Sequence, residues 1–158
     1  MYSLRLLGGC SLHDGGGAPV GGRATHRHRL ALLARLALAH PAGVSRDKLA
    51  GLLWPERDEA AARHLLRVAL HELRQFLGPA ALPSTGGELR LAPGALTVDV
   101  HRFEARLAEG ALEEAVAAYR GPFLDGFFLH ESTPFEEWAS AERARLAAAH
   151  VAALERLA

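Results

Sequence analysis

Arg63, Arg67 and Arg74 are spaced so that an α-helix would gather them into one cationic row, within about 40° of one another in projection down its axis. His64, His71 and Gln75 continue that arc and Val68 sits at its edge. Leu65, Leu66, Ala69, Leu70, Leu73, Phe76 and Leu77 fall on the opposite side. A guanidinium can donate two parallel bonds to guanine O6 and N7, glutamine can pair with adenine, and a valine methyl can meet the thymine methyl. One face is built to be anchored and the other to read a duplex groove, although a solvated amphipathic helix carries the same pattern. We assign Arg63, His64, Arg67, Val68 and His71 to base edges and Arg74 and Gln75 to the phosphate backbone.

A reading helix needs a seat, and the flanking sequence supplies one. Asp58 is placed to cap the helix over 58–77, and Gly78-Pro79 ends it for a steric reason. Upstream, Leu30, Leu33, Ala34, Ala37 and Leu38 make the stripe of a helix over 25–39, stopped by Pro41 and Gly43. Ser45 then caps a short helix through Leu49, Leu52, Leu53 and Trp54, with Asp47 in its first turn, and Pro55 closes it. Arg46 and Lys48, at its start, suit phosphate contacts. Downstream, Leu82, the Thr85-Gly86-Gly87 turn and the alternation Glu88-Leu89-Arg90-Leu91 predict a hairpin. Ser84, Thr85 and Arg90 are its candidates for backbone or minor-groove contact. Three helices and a hairpin make a winged helix-turn-helix, in which the second helix of the pair enters the major groove.

The remaining segments frame this unit. Residues 3–12 predict a strand, a Gly8-Gly9 bend and a second strand around Leu4, Leu6 and Leu12. The glycine-rich loop over 14–22 lacks the GK[ST] that holds phosphate and magnesium, so it is a turn. Composition changes near Pro93. Asp99 is expected to cap a helix ending at Gly110, a second helix covers 111–119 before Gly121-Pro122, and Thr133-Pro134-Phe135-Glu136 forms a capping box with proline at the first helical position. The last helix carries a stripe of Phe135, Trp138, Leu146, Ala149, Ala153 and Leu157. No later helix covers it, so further helical repeats or pairing with a second copy are expected.

Charge divides along the same line. The 158 residues sum to zero, yet residues 1–97 hold 12 Lys+Arg against 7 Asp+Glu, and residues 98–158 hold 6 against 11. A polyanion-binding half joined to an acidic half follows. With 49% hydrophobic residues the chain can bury a sizeable core, and its single cysteine, Cys10, permits no intramolecular disulfide or multi-cysteine metal site. The absence of a secretory signal or a membrane-length apolar run points to a cytoplasmic protein with no membrane contact.

Catalytic and metal readings find little to build on. His71-Glu72 opens like a zinc-protease HExxH, but Gln75 stands where the second histidine must be. His130-Glu131-Ser132 has no fixed partner for a nucleophilic triad, and Glu136-Glu137 are helix-start carboxylates. No enzyme, cofactor or metal is expected. A metal-responsive winged-helix repressor is the rival reading, resting on His26-x-His28 and six histidines in the first 97 residues, but two histidines two apart on a helix point in different directions. A protein-interaction module without DNA binding is the other alternative.

Four segments together carry a family resemblance: Leu4-Arg5-Leu6-Leu7-Gly8, the run from Val44 through Trp54-Pro55, the run from Ala62 through Arg74, and Val98-Asp99-Val100-His101-Arg102-Phe103-Glu104. In that order they resemble the antibiotic regulatory protein (SARP) family of bacterial transcriptional activators. The later Tyr119-Arg120-Gly121-Pro122-Phe123-Leu124-Asp125-Gly126-Phe127 and Phe135-Glu136-Glu137-Trp138 resemble that family's bacterial transcriptional activator domain. The resemblance implies a mainly α (α+β) chain. Its residues 1–97 would form an OmpR-type winged-helix DNA-binding domain with a small N-terminal β-sheet, and residues 98–158 the opening helices of a tetratricopeptide-like domain. It further implies an activator that binds direct repeats in double-stranded DNA as a homodimer and contacts RNA polymerase. His64 stands where an asparagine is frequent in that family.

Overall fold

The computed structural model describes residues 1–22 and 25–158. Its elements follow the chain as β1 (Ser3–Arg5), β2 (Ser11–His13), α1 (Arg27–Ala39), β3 (Val44–Ser45), α2 (Arg46–Leu53), α3 (Glu59–Leu77), a 3₁₀ turn (Pro79–Ala81), β4 (Ser84–Thr85), β5 (Glu88–Leu89), β6 (Thr97–Val98), α4 (Asp99–Ala108), α5 (Leu112–Ala118) and α6 (Thr133–Leu157). It is a mixed fold dominated by helices, with two small sheets.

The local signals that position α3 act as expected. Asp58 Oδ1 accepts the Ala61 amide at 2.8 Å, satisfying one of the first-turn donors that have no partner within the helix. Gly78, at φ +98°, takes the left-handed conformation that ends the helix at low steric cost. Ser45 Oγ caps α2 in the same way, accepting the Lys48 amide at 3.1 Å.

The wing is a three-stranded sheet rather than a bare hairpin. β5 pairs antiparallel with β4 (Thr85 opposite Glu88) and also with β3 (Val44 opposite Leu89), a strand the sequence reading did not include. Two residues are too few to display a period-two pattern; Val44-Ser45 becomes a strand because Leu89 lies beside it.

The second sheet has the order β2-β1-β6, with β1 antiparallel to β2 and parallel to β6. The parallel pairing carries the end of β1 across the start of α4 and changes the role of Asp99. Val98, not Asp99, holds the N-cap position, and Asp99 is the first residue of α4. Its carboxylate accepts the amides of Leu6 (2.9 and 3.1 Å) and Leu7 (3.0 Å). Burial pushes its pKa up, and those amide bonds and nearby Arg120 oppose the shift.

A second joint lies alongside. Gly8 N donates to Pro122 O at 2.9 Å, Leu124 N donates to Leu6 O at 2.8 Å, and Leu7 faces Phe123 in an isolated bridge. A Cβ on Gly121 would come within 3.0 Å of Gly8 Cα, so the close approach of the two backbones requires glycine at 121, while Gly8 takes a φ of +98° that L side chains rarely adopt. One apolar cluster runs through both halves, from Leu4 and Leu6 through the α1–α3 stripes to Phe103, Phe123, Phe135 and Leu146.

The start of α6 also differs from the expectation. Ser132, not Thr133, is the N-cap: its Oγ accepts the Phe135 amide at 3.1 Å and donates to Leu52 O at the end of α2. Glu136 Oε2 accepts the Leu129 amide at 2.8 Å instead of closing a capping box. The helix begins where the chain can also bond α2, which propensity alone does not register. Along the α6 stripe Phe135, Leu146 and Ala153 are buried, Trp138 and Ala149 half-buried and Leu157 exposed.

Candidate nucleic-acid interface

α3 divides as its sequence spacing requires. Ala62, Leu66, Ala69, Leu70 and Leu73 are buried, and Leu65, Phe76 and Leu77 are half-buried against the same core. On the other side Arg63, His64, Arg67, Val68, His71 and Gln75 are all exposed. Val68 keeps 38% of its surface in solvent. Arg63 makes a long contact with Glu59, 4.0 Å from Nη2 to Oε2, with 47% of its side chain exposed. Arg67 makes no hydrogen bond or ion pair among the described residues.

The wing and the start of α2 complete the surface. Arg46 N donates to Gly87 O at 2.9 Å and its Nη2 reaches Ser84 Oγ at 3.3 Å, fixing the hairpin tip to the start of α2. A groove of about 240 Å³ then opens between α2, α3 and the tip, lined by Ser45, Arg46, Asp47, Arg63, Arg67 and Gly87. It brings three of the predicted guanidinium groups together. Lys48, Ser84 and Thr85 are exposed at its margins. Gly86 (φ +60°) and Gly87 (φ +82°) make the left-handed turn that keeps the tip narrow.

Two predicted contacts are set differently. Arg74 is half-buried, and its Nε and Nη2 both donate to Leu82 O, at 3.2 and 2.6 Å, tying the end of α3 to the segment that enters the wing. Arg90 is also half-buried, with Nε enclosed and without a hydrogen-bond partner. Arg57 was missed by sequence reasoning. It is exposed on the turn before α3 and shares with Arg63 a second hollow of about 220 Å³, its Nε 4.0 Å from Glu56. Its signal was a cation directly ahead of the Asp58 cap.

The two histidines that opened the metal reading, His26 and His28, lie against other side chains. The His28 ring stacks on Trp54 (centroids 5.1 Å apart, planes 6° apart), with Nε2 3.3 Å from Glu131 Oε1, and burial lowers its pKa against the pull of Glu131. His26 Nδ1 lies 3.2 Å from Arg29 Nη1. Among the described residues no group of three or more His, Cys, Asp or Glu side chains gathers as a metal site, and no helix is long and apolar enough to cross a membrane.

No protein-family model matches the chain, and no curated protein matches its sequence. Among solved structures it is similar to Mycobacterium tuberculosis EmbR in complex with a low-affinity phosphopeptide, at 27% identity and a TM-score of 0.70. The alignment covers 96% of this chain and 44% of the EmbR chain, so this chain spans less than half of that protein's length. The likeness extends over nearly the whole of the present chain and shows a shared mixed fold of helices and small sheets.

Proposed function

We propose that this chain is a sequence-specific DNA-binding transcriptional regulator of the SARP type. α3 enters the major groove with Arg63, His64, Arg67, Val68 and His71 toward base edges. Arg46, Lys48, Ser84 and Thr85 grip the flanking phosphates, with Gln75, Arg74 and Arg90 at the periphery. The observation that carries the reading is the exposed row Arg63–Arg67 on a helix whose opposite face is buried, beside Arg46 and a glycine-tipped wing.

Residues 1–97 form the DNA-binding unit in this reading, and residues 98–158 begin a tetratricopeptide-like activator unit. The similarity to EmbR and the acidic character of the second half support that division. The protein acts in the cytoplasm as an activator, binding direct repeats as a dimer and contacting RNA polymerase, without catalysis of its own.

Selection of bound sites from a random duplex pool tests this. The expected result is a direct-repeat motif, with Arg67→Gln relaxing preference at one position and costing about 1–3 kcal/mol of affinity. Recovery of sequences with no common motif would remove the base-reading assignment.

A further inference from the structure

The acid-rich half of the chain places three of its six arginines around one cleft. Arg102 and Arg106 of α4 and Arg120, just past α5, join Arg5 of β1 around a hollow of about 500 Å³ between the β1–β6 edge and the α4–α5 pair. That volume lies within the range of small-molecule sites, about 300–1,000 Å³. Two carboxylates, Asp99 and Glu114, also line it, against four guanidinium groups.

Three of the four guanidinium groups have no direct partner among the described residues. Arg106 is held by Glu109 (2.6 Å) and Glu114 (2.9 Å), whereas Arg5, Arg102 and Arg120 make no hydrogen bond or ion pair within 4 Å among the described residues. Asp99, whose oxygens accept the amides of Leu6 and Leu7, attracts Arg120 electrostatically without forming an ion pair within 4 Å, and the cleft keeps more guanidinium groups than carboxylates. Like charges gathered in a concavity repel unless an anion joins them, and the planar guanidinium fork matches the oxygens of a phosphoryl group. None of the side chains assigned to DNA lines this cleft.

We propose that the cleft binds a small phosphorylated anion, with Arg5, Arg102 and Arg120 as its charge-bearing ligands. The walls come from β1 and β6 on one side and α4 and α5 on the other, so a bound anion would bridge the sheet to the helical half.

Calorimetric titration of the full chain with inorganic pyrophosphate at low ionic strength tests it. One-site binding is expected, with a rise in melting midpoint, since a ligand held by the folded chain alone stabilises it. Arg102→Gln and Arg120→Gln should each weaken binding about ten-fold, as removal of one charge-assisted pair does, while Arg67→Gln leaves it unchanged. Both substituted side chains are exposed, so the variants should fold, and an unchanged melting midpoint without ligand checks this. Absence of both heat and midpoint shift, binding lost with Arg67→Gln but kept in the cleft variants, or citrate binding as tightly as pyrophosphate would each overturn the assignment.

Discussion

Arg63 and Arg67 on α3 and Arg106 and Arg145 on later helices are used in opposite ways. On α3, Arg67 is unpaired among the described residues and Arg63 has a single contact at 4.0 Å. Arg106 of α4 and Arg145 of α6 are instead neutralised, Arg106 between Glu109 and Glu114 and Arg145 between Glu142 (2.7 Å) and Glu104 (3.5 Å). A cation already paired on its own surface has little to gain from a polyanion, because its existing partner must first be displaced. Counting arginines therefore misjudges a binding surface; what matters is which of them lack partners and whether the fold holds them side by side. The groove by the wing, where unpaired Arg67 lies beside Arg63 and Arg46 with one long side-chain contact each, comes near that condition, as does the Arg5–Arg102–Arg120 cleft, whereas the Arg145 face does not.

The largest effect should come from removing the seat of α3. Leu66 is 1% exposed beneath Arg63 and Arg67, and Leu66→Ala should cost about 2–5 kcal/mol of stability by cavity formation, read by denaturant unfolding. A loss well under that range would mean that the reading face is not held by its leucines. Arg145→Gln should cost no more than about 0.2–1 kcal/mol, since exposed ion pairs contribute little, and should leave DNA affinity as it was. A marked loss of DNA binding in that variant would erase the distinction between paired and unpaired cations.

The smallest effect is a change of slope with pH. His28 has its folded pKa lowered below the ordinary 6.5 by burial, so the unfolded chain takes up the proton first as pH falls. Stability contributed by neutral His28 is full above 6.5 and is lost as pH drops from there through the lowered folded value. His28→Phe keeps an aromatic ring against Trp54 and removes the titration. Its melting midpoint should fall less steeply than the parent's between about pH 7 and 5, whereas parallel curves would contradict the direction of the shift.

Much of this was legible in the chain because it is encoded locally. The α3 stripe, its Asp58 cap, the Gly78 stop and the Thr85-Gly86-Gly87 turn all lie within a few residues of what they control. What escaped notice depends on long separations. Asp99 bonds amides more than 90 positions earlier, Ser132 bonds Leu52 eighty positions earlier, and Gly8 meets Gly121 across the whole first half. β3 exists only through its neighbour β5. On the binding face, helical period was enough to predict exposure from Arg63 to His71. It failed for Arg74 because Leu82 O approaches from beyond the Gly78-Pro79 stop, where periodicity has no reach.

The most direct test of the central claim is the salt dependence of DNA binding by the intact chain, measured by fluorescence anisotropy on a selected duplex. The account predicts that log affinity falls linearly with log salt, by about 0.9 for each phosphate neutralised. Lys48→Gln should reduce that slope by about one, and Arg67→Gln should lose discrimination at one base pair. Binding that is absent at low salt, or that persists unchanged in both variants, would contradict it.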